Sequence, residues 1–206
     1  MDKDIKSAFV GVTILSILAL LAILFVNPLL GEELLIDKGI YKVKYDTVLE
    51  QPLEVSYTVT NRLKNADRKG MNFKKEPNIH TSDNKDYVNN VWDKGHMAPA
   101  AHFSDSEDNL RLTFSYLNSA LQHEKLNRGA WRFLEAHVRK LSEGADIHVI
   151  NYILFSPSSE QLPTGATVPD GFMKKLHFPS TGAAQCYFFT NEAPEGSFKD
   201  FEVDCE

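Results

Sequence analysis

Hydrophobic and polar residues alternate along two early stretches of the chain. Residues 40–45 and 53–60 switch between apolar and polar side chains at nearly every step, so each stretch gathers its apolar side chains on one face. In the second stretch that face carries Leu53, Val55, Tyr57 and Val59. This pattern predicts two half-buried antiparallel strands at the start of a folded domain.

Later segments extend the predicted sheet. Residues 147–155 form an apolar run typical of a central strand, and residues 185–190 predict a further strand. Residues 156–170 and 192–197 have the composition of a loop and a turn. We therefore predict an α+β domain with a mixed, largely antiparallel central sheet.

A long polar loop separates the early strands from the rest. Residues 61–90 are charged, rich in Asn and interrupted by Pro77. The loop brings basic side chains toward any site nearby, although a solvated surface role is the alternative for most of them. These side chains are Arg62, Arg68, Lys69, Lys74 and Lys75.

The N-terminal region contains a long run of uncharged residues. Residues 8–26 are 19 consecutive residues without a charge, and as a helix they would span about 28 Å, close to the thickness of a bilayer core. The sequence Val26-Asn27-Pro28 offers no small-x-small cleavage site. We predict an uncleaved transmembrane signal anchor within residues 1–31, with a removed signal peptide as the alternative.

The charges around this run predict its orientation. Lys3 and Lys6 precede it, whereas Glu32, Glu33 and Asp37 follow it. The positive-inside tendency therefore favours an internal N-terminus and an extracytoplasmic domain comprising residues 32–206. That length suits one domain with a sizeable core.

Net charge and cysteine content narrow the functional classes. The formal net charge of −6 and a pI of about 5.7 argue against a protein that coats nucleic acid with a basic surface, so an electropositive field would be confined to a cleft. Cys186 and Cys205 show no zinc-site spacing. In an external compartment they would either form a disulfide that closes a short C-terminal loop or remain as thiols.

Residues 92–101 suggest a catalytic turn. His96 titrates near neutral pH, Asp93 is placed to orient its ring, and Lys94 adds a cation. Gly95 would allow a phosphate to approach closely. The alternative is an ordinary surface or core histidine.

A second polar segment begins at Asn127. Asn127, Trp131, Glu135 and Arg139 recur every four residues, so a helix ending near Gly144 would place them along one stripe. Amide and carboxylate oxygens suit a hydrated hard cation, and a guanidinium suits a phosphate. The alternatives are a solvated face with a Glu135–Arg139 pair and a helix N-cap at Asn127.

Together these segments resemble the DNA/RNA non-specific endonucleases with a ββα-metal core. That family carries Asp-Arg-Gly-His, then Thr-Phe-x-x-x-Asn with Pro-Gln, then Leu-Asn-x-x-Ala-Trp-x-x-Leu-Glu. The corresponding residues here are Asp93-Lys94-Gly95-His96, Thr113-Phe114 with Asn118 and Gln122, and Leu126-Asn127 with Ala130-Trp131 and Leu134-Glu135. Val168-Pro169 with Phe172 and Lys174 also resembles the later core of the family.

The resemblance implies the ββα-metal nuclease fold and hydrolysis of phosphodiester bonds in DNA and RNA. By it, His96 is the general base and Asn127 the direct ligand of Mg²⁺, with Mn²⁺ as an alternative. Glu135 contacts the metal through water, because it lies about 12 Å further along the helix. Arg139 and Lys94 contact phosphate, and Asn118 is a supporting polar group.

The chain departs from the family pattern in three places. Lys94 replaces the usual Arg, Leu121 replaces the Pro before Gln122, and the family normally continues beyond Glu206. The last difference indicates either a C-terminally shortened form or an incomplete sequence. These departures motivate an alternative function, a membrane-tethered binding module that has kept the fold and lost activity.

Overall fold

A seven-stranded antiparallel sheet organises the part of the chain that the computed structural model describes, residues 33–62 and 65–205. Its strands lie in the order β1-β2-β3-β6-β7-β8-β9. They are β1 (Glu33–Asp37), β2 (Tyr41–Asp46), β3 (Gln51–Val59), β6 (Ile147–Leu154), β7 (Gly171–Phe178), β8 (Ala183–Thr190) and β9 (Glu202–Val203). A separate two-stranded sheet pairs β4 (Trp92–His96) with β5 (Ser119–His123).

The helices are few and short. Helix α1 is Glu107–Thr113, and α2 is Arg132–Leu141. A helical turn, Glu124–Leu126, and a π-type turn, Asn127–Trp131, connect β5 to α2, with a kink at Gly129. Single 3-10 turns occur at Asn84–Tyr87, Ala100–His102, Tyr116–Asn118 and Phe198–Phe201.

The alternating segments form the predicted strands. In β3, Val55, Tyr57 and Val59 are buried, as the pattern requires. The apolar run forms β6, which lies centrally between β3 and β7. Every pair of these strands is antiparallel, and the one parallel pairing among the described residues is an isolated bridge between Lys74 and Ser115. The expected largely antiparallel sheet is thus confirmed.

The segment around His96 is not the turn that we predicted. Trp92–His96 is a strand whose five residues all pair with β5, from Trp92 opposite His123 to His96 opposite Ser119. No apolar alternation marks this strand. Its pairing partner lies more than twenty residues further along the chain, so a local pattern could not predict the pairing. Together β4, β5 and α2 form the ββα unit.

The core lies between the large sheet and the ββα unit. Trp131 is fully buried, and its ring lies 5.5 Å from that of Phe172 in β7 and 5.7 Å from that of Phe189 in β8. Leu134 and Val138 follow at helical spacing and are also buried. This apolar stripe fixes α2 against the sheet and determines which of its residues face outward.

The C-terminus is attached to the sheet by the disulfide between Cys186 and Cys205, whose Cα atoms lie 5.3 Å apart. Of the two alternatives left open for these cysteines, the structure shows the disulfide. The predicted anchor, residues 8–26, lies outside the described residues. Within the described part, no helix is both long and apolar enough to cross a membrane.

Candidate active site

A cleft of about 1210 Å³ opens between β4, the long loop and the start of α2. Five of the six predicted site residues line this cleft: Lys94, His96, Asn127, Glu135 and Arg139. Its other lining residues are Arg68, Met71, Asn72, Phe73, Asn84, Tyr87, Trp92, Asp93, Pro99, Ala100, Ala101, Phe114, Tyr116, Arg128 and Arg132. Residues that are far apart in the sequence thus share one concave surface.

His96 lies at the end of β4 between two aromatic rings, with ring centroids 4.7 Å from Phe73 and 5.0 Å from Phe114. Burial, together with the positive charge of Arg68, lowers the pKa of His96 to about 3. The imidazole is therefore neutral at neutral pH. Its buried Nε2 has no hydrogen-bond partner among the described residues, so this nitrogen is the candidate proton acceptor.

Asp93 does not orient the ring of His96, contrary to our prediction. Three residues apart on a strand, the two side chains leave opposite faces. The Asp93 carboxylate instead accepts hydrogen bonds from Asn127 Nδ2 at 2.9 Å and from Arg128 Nε and Nη2 at 2.8 and 2.7 Å. Although burial raises the pKa of Asp93, these hydrogen bonds hold it below its ordinary value. Asp93 is a permanent anion that orients Asn127.

The donor set around Asn127 fits a hydrated hard cation. Because Nδ2 donates to Asp93, the amide oxygen is the atom left to serve as a ligand. The described residues contain no cluster of three or more His, Cys, Asp or Glu side chains that could hold an ion. A single protein oxygen suits a divalent ion that keeps several of its waters.

Asn118 does not line the cleft. It is fully buried behind His96, where its Oδ1 accepts from the Ala98 amide at 2.7 Å and its Nδ2 donates to the carbonyls of Ala98 and Thr113, both at 2.9 Å. Asn151 also donates to the Met97 carbonyl at 2.6 Å. Asn118 therefore fixes the backbone that follows His96, and it is a positioning group rather than a catalytic one.

Lys94 extends into the cleft on the same side of β4 as His96. Its Nζ donates to Asn84 Oδ1 at 2.6 Å and lies 5.2 Å from the centroid of Tyr87 and 5.9 Å from those of Phe73 and Tyr116. Burial lowers the pKa of Lys94. The aromatic rings hold this ammonium group in place.

Gly95 has a packing role that the sequence did not reveal. A Cβ at this position would lie 2.4 Å from Oε1 and 2.6 Å from Cβ of Gln122, whose side chain is fully buried. The space beside Gly95 is thus filled by Gln122, and no phosphate approaches there. Our expectation for this glycine was wrong.

We expect Gly95→Ala to destabilise the protein by about 1–3 kcal/mol, because the buried Gln122 has no room to move aside. Urea unfolding of the full chain measures the change. Gly144→Ala is the matched control, since its Cβ would meet nothing nearer than 3.8 Å. Equal stability of the two variants would contradict the packing role.

Positive charge dominates the cleft. Five cationic side chains line it against the carboxylates of Asp93 and Glu135, although the whole chain is acidic. The cations are Arg68, Lys94, Arg128, Arg132 and Arg139. Positive charge is not confined to this cleft, since Lys38, Lys74, Lys75 and Arg111 line another pocket. Arg128 and Arg132 carried no recognisable signal in the sequence.

The long loop contributes less charge to the cleft than we predicted. Arg68 reaches it, with the guanidinium carbon 5.8 Å from the Phe114 centroid. Arg62 instead pairs with Asp105, and Lys75 pairs with Asp83. Among the described residues of the loop, Arg68 is the one phosphate-binding candidate on the cleft.

The family model for DNA/RNA non-specific endonucleases matches residues 24–206. The chain belongs to this family. The predicted resemblance is confirmed, and the ββα arrangement of β4, β5 and α2 is where the family motifs lie.

Individual relatives agree with this assignment. A mitochondrial nuclease EXOG of Danio rerio is 33% identical over 121 residues, which cover 56% of this chain and 35% of the relative. A nuclease of Serratia marcescens is 29% identical over 166 residues, covering 72% and 62%. The crystal structure of an EndoG/EndoGI complex matches with a TM-score of 0.75 at 26% identity, over 85% of this chain and 82% of that one. The matches span about one third to two thirds of the two sequence relatives.

Proposed function

We propose that the protein is a metal-dependent endonuclease that hydrolyses phosphodiester bonds in both DNA and RNA with little sequence selectivity. One observation carries the proposal: a cationic cleft holds a neutral imidazole, an oriented amide oxygen, a carboxylate and an arginine on one surface. This combination suits the hydrolysis of a phosphodiester, since it offers a base and groups that neutralise phosphate charge.

His96 acts as the general base. Its neutral Nε2 takes a proton from water, the resulting hydroxide forms a bond to phosphorus, and the opposite P–O bond breaks with the leaving oxygen taking up a proton. Burial is the larger cause of the low pKa of His96, and the charge of Arg68 is the smaller one. A phosphate bound beside Arg68 would offset the second contribution and so raise the basicity of His96.

The arginines hold the phosphate. Arg139 and Arg68 both line the cleft, and each guanidinium presents a fork that matches two phosphate oxygens. Asn127 is the residue that would hold the metal, which when bound would stabilise charge on the phosphate and the leaving oxygen. Mg²⁺ suits this donor set, with Mn²⁺ as an alternative.

Low sequence selectivity follows from the chemistry of the cleft. Cationic contacts position phosphates without recognising bases. The Leu121 departure is compatible with activity: its amide donates to the buried Gln51 Oε1 at 3.0 Å, a bond that proline could not make.

Cleavage of closed circular plasmid and of RNA tests the proposal. With Mg²⁺ the full chain should convert both substrates to fragments, and a chelator should abolish the conversion. Plasmid has no ends, so its cleavage identifies an endonuclease. Binding without conversion would instead support the inactive binding module.

Lys94 offers a second test of the cleft. Lys94→Ala should lower turnover by about 10- to 100-fold, because one charge-assisted contact is worth about 1.5–3 kcal/mol. Lys94→Arg should raise it, since the planar guanidinium both stacks on the surrounding rings and grips two phosphate oxygens. Lys125→Ala, at an exposed position that does not line the cleft, is the control. Unchanged turnover of Lys94→Ala would remove Lys94 from the substrate contacts.

We further propose that residues 8–26 anchor the protein in a membrane, with residues 32–206 on the extracytoplasmic side. The uncharged run and its flanking charges support this location. The Cys186–Cys205 disulfide also suits an oxidising compartment. Full-length protein should remain in the membrane fraction after alkaline carbonate washing and be digested by protease added outside. Release by the wash would favour a cleaved signal peptide.

A further inference from the structure

A lysine is buried beneath the cleft. Lys174 in β7 is only 1% exposed, and its Nζ lies 4.0 Å from the centroid of the Trp131 ring. Among the described residues Nζ has no hydrogen-bond partner. Burying an ammonium group in this way costs considerable free energy unless another charge compensates. Its strand neighbour Lys175 is only partly buried.

The compensating charge is Glu135. It lies one helical turn beyond Trp131, on whose ring the Lys174 ammonium group rests, and it lines the cleft, whereas Lys174 does not. Burial raises the pKa of Glu135 to about 7, and the charges of Lys174 and then Arg139 oppose that rise. Conversely, burial lowers the pKa of Lys174, and the negative charge of Glu135 opposes this decrease. The ionisation of each group depends on the other.

The other surroundings of Glu135 do not replace this charge. From β3 comes the buried hydroxyl of Tyr57, and from the 3-10 turn a ring nitrogen of His102 lies 3.2 Å from the Glu135 backbone carbonyl. Arg139, on the same helix, lines the cleft and is available to bind phosphate. The remaining charged and titratable groups on the cleft are Arg68, Asp93, Lys94, His96, Arg128 and Arg132, with the tyrosines Tyr87 and Tyr116.

We propose that Lys174 is a positioning residue of the nuclease site: its buried ammonium group, which lies over the Trp131 ring one helical turn from Glu135, favours the ionised form of the Glu135 carboxylate. The proposal rests on the proposed nuclease function for its consequence, because an ionised Glu135 accepts hydrogen bonds from water at the site whereas a protonated one donates. Arg139 is then free to bind phosphate instead of neutralising Glu135.

The first test needs neither metal nor activity. The chain has two tryptophans, so Trp92→Phe leaves Trp131, which lies against Lys174, as the reporter. Its fluorescence is followed against pH in the metal-free full chain. In this background Glu135→Gln identifies the transition that belongs to Glu135 by removing it.

Lys174→Met should move that transition upward by about 1–3 pH units, because loss of a nearby positive charge favours the protonated carboxyl. Lys174→Arg should keep it near the parent value, and Lys175→Met should leave it unchanged. An unshifted transition in folded Lys174→Met would overturn the proposal whether or not the protein proves to be a nuclease.

A reciprocal experiment covers the case in which Lys174→Met fails to fold. In Glu135→Gln, NMR of lysine labelled with ¹³C at Cε should show a lower pKa for Lys174 than in the parent, because its compensating anion is gone. An unchanged pKa would again overturn the proposal.

The pH profile of cleavage then links the pair to function. Protonation of Glu135 should lower the cleavage rate at acid pH, which gives the pH profile an acid limb. Lys174→Met should move this acid limb to higher pH, and the cleavage rate should recover at alkaline pH. Lys174→Arg should restore the parent profile. A purely structural role would lower the rate equally at all pH values, and that outcome would contradict the proposal.

Discussion

His96→Ala is expected to reduce cleavage of DNA and of RNA by about 10²–10⁴-fold, the usual contribution of a general base. Metal affinity should change little, because Asn127 is held by Asp93. The unfolding free energy should fall, because the imidazole that packs between Phe73 and Phe114 is lost. Turnover at saturating Mg²⁺, with thermal unfolding of the same preparations, measures both.

A matched substitution distinguishes loss of the general base from a non-specific effect of replacing a histidine. His177→Ala removes a partly buried histidine of β7 that does not line the cleft, and it should leave turnover unchanged. His96→Ala with parental turnover would show that another group accepts the proton.

Asn127→Ala is expected to have the other large effect. Loss of the ligand oxygen should weaken metal binding and cleavage by about 100-fold or more, since removing even the partner of a ligand costs about 10–100-fold. Asp93→Asn should cause the smaller loss, because it weakens the charge-assisted bonds that orient Asn127. Mn²⁺ binding measured by electron paramagnetic resonance reports affinity without any substrate.

Asn61→Ala provides the comparison for this series, since Asn61 is exposed and does not line the cleft. Its metal affinity should equal that of the parent. Parental Mn²⁺ affinity in Asn127→Ala would exclude Asn127 as the ligand, even if its cleavage were impaired.

Local pattern predicted four strands of the large sheet and missed β1, β7 and β9. Alternation marked β2 and β3, and an apolar run marked β6. Strand β4 was not predicted, because Trp-Asp-Lys-Gly-His has no apolar face. Only its pairing with β5 makes it a strand. Long-range pairing of this kind leaves little trace in a local window.

The sequence predicted which residues line the candidate site, but it did not predict which side chains contact one another there. Family motifs identified His96, Asn127 and Glu135, all of which line the cleft. The bond from Asn127 to Asp93 spans 34 positions, so sequence proximity wrongly paired Asp93 with His96. Lys174 looked like an ordinary strand lysine, because its burial depends on the packing of Trp131 from a distant helix.

The central claim is that a single cleft cleaves both DNA and RNA, and mutual competition tests it most directly. The initial rate of plasmid nicking by the full chain in Mg²⁺ is measured with increasing RNA. RNA should inhibit competitively, with an inhibition constant equal to the KM for its own cleavage. Plasmid nicking that is unaffected by saturating RNA would contradict the claim, as would the absence of metal-dependent nicking.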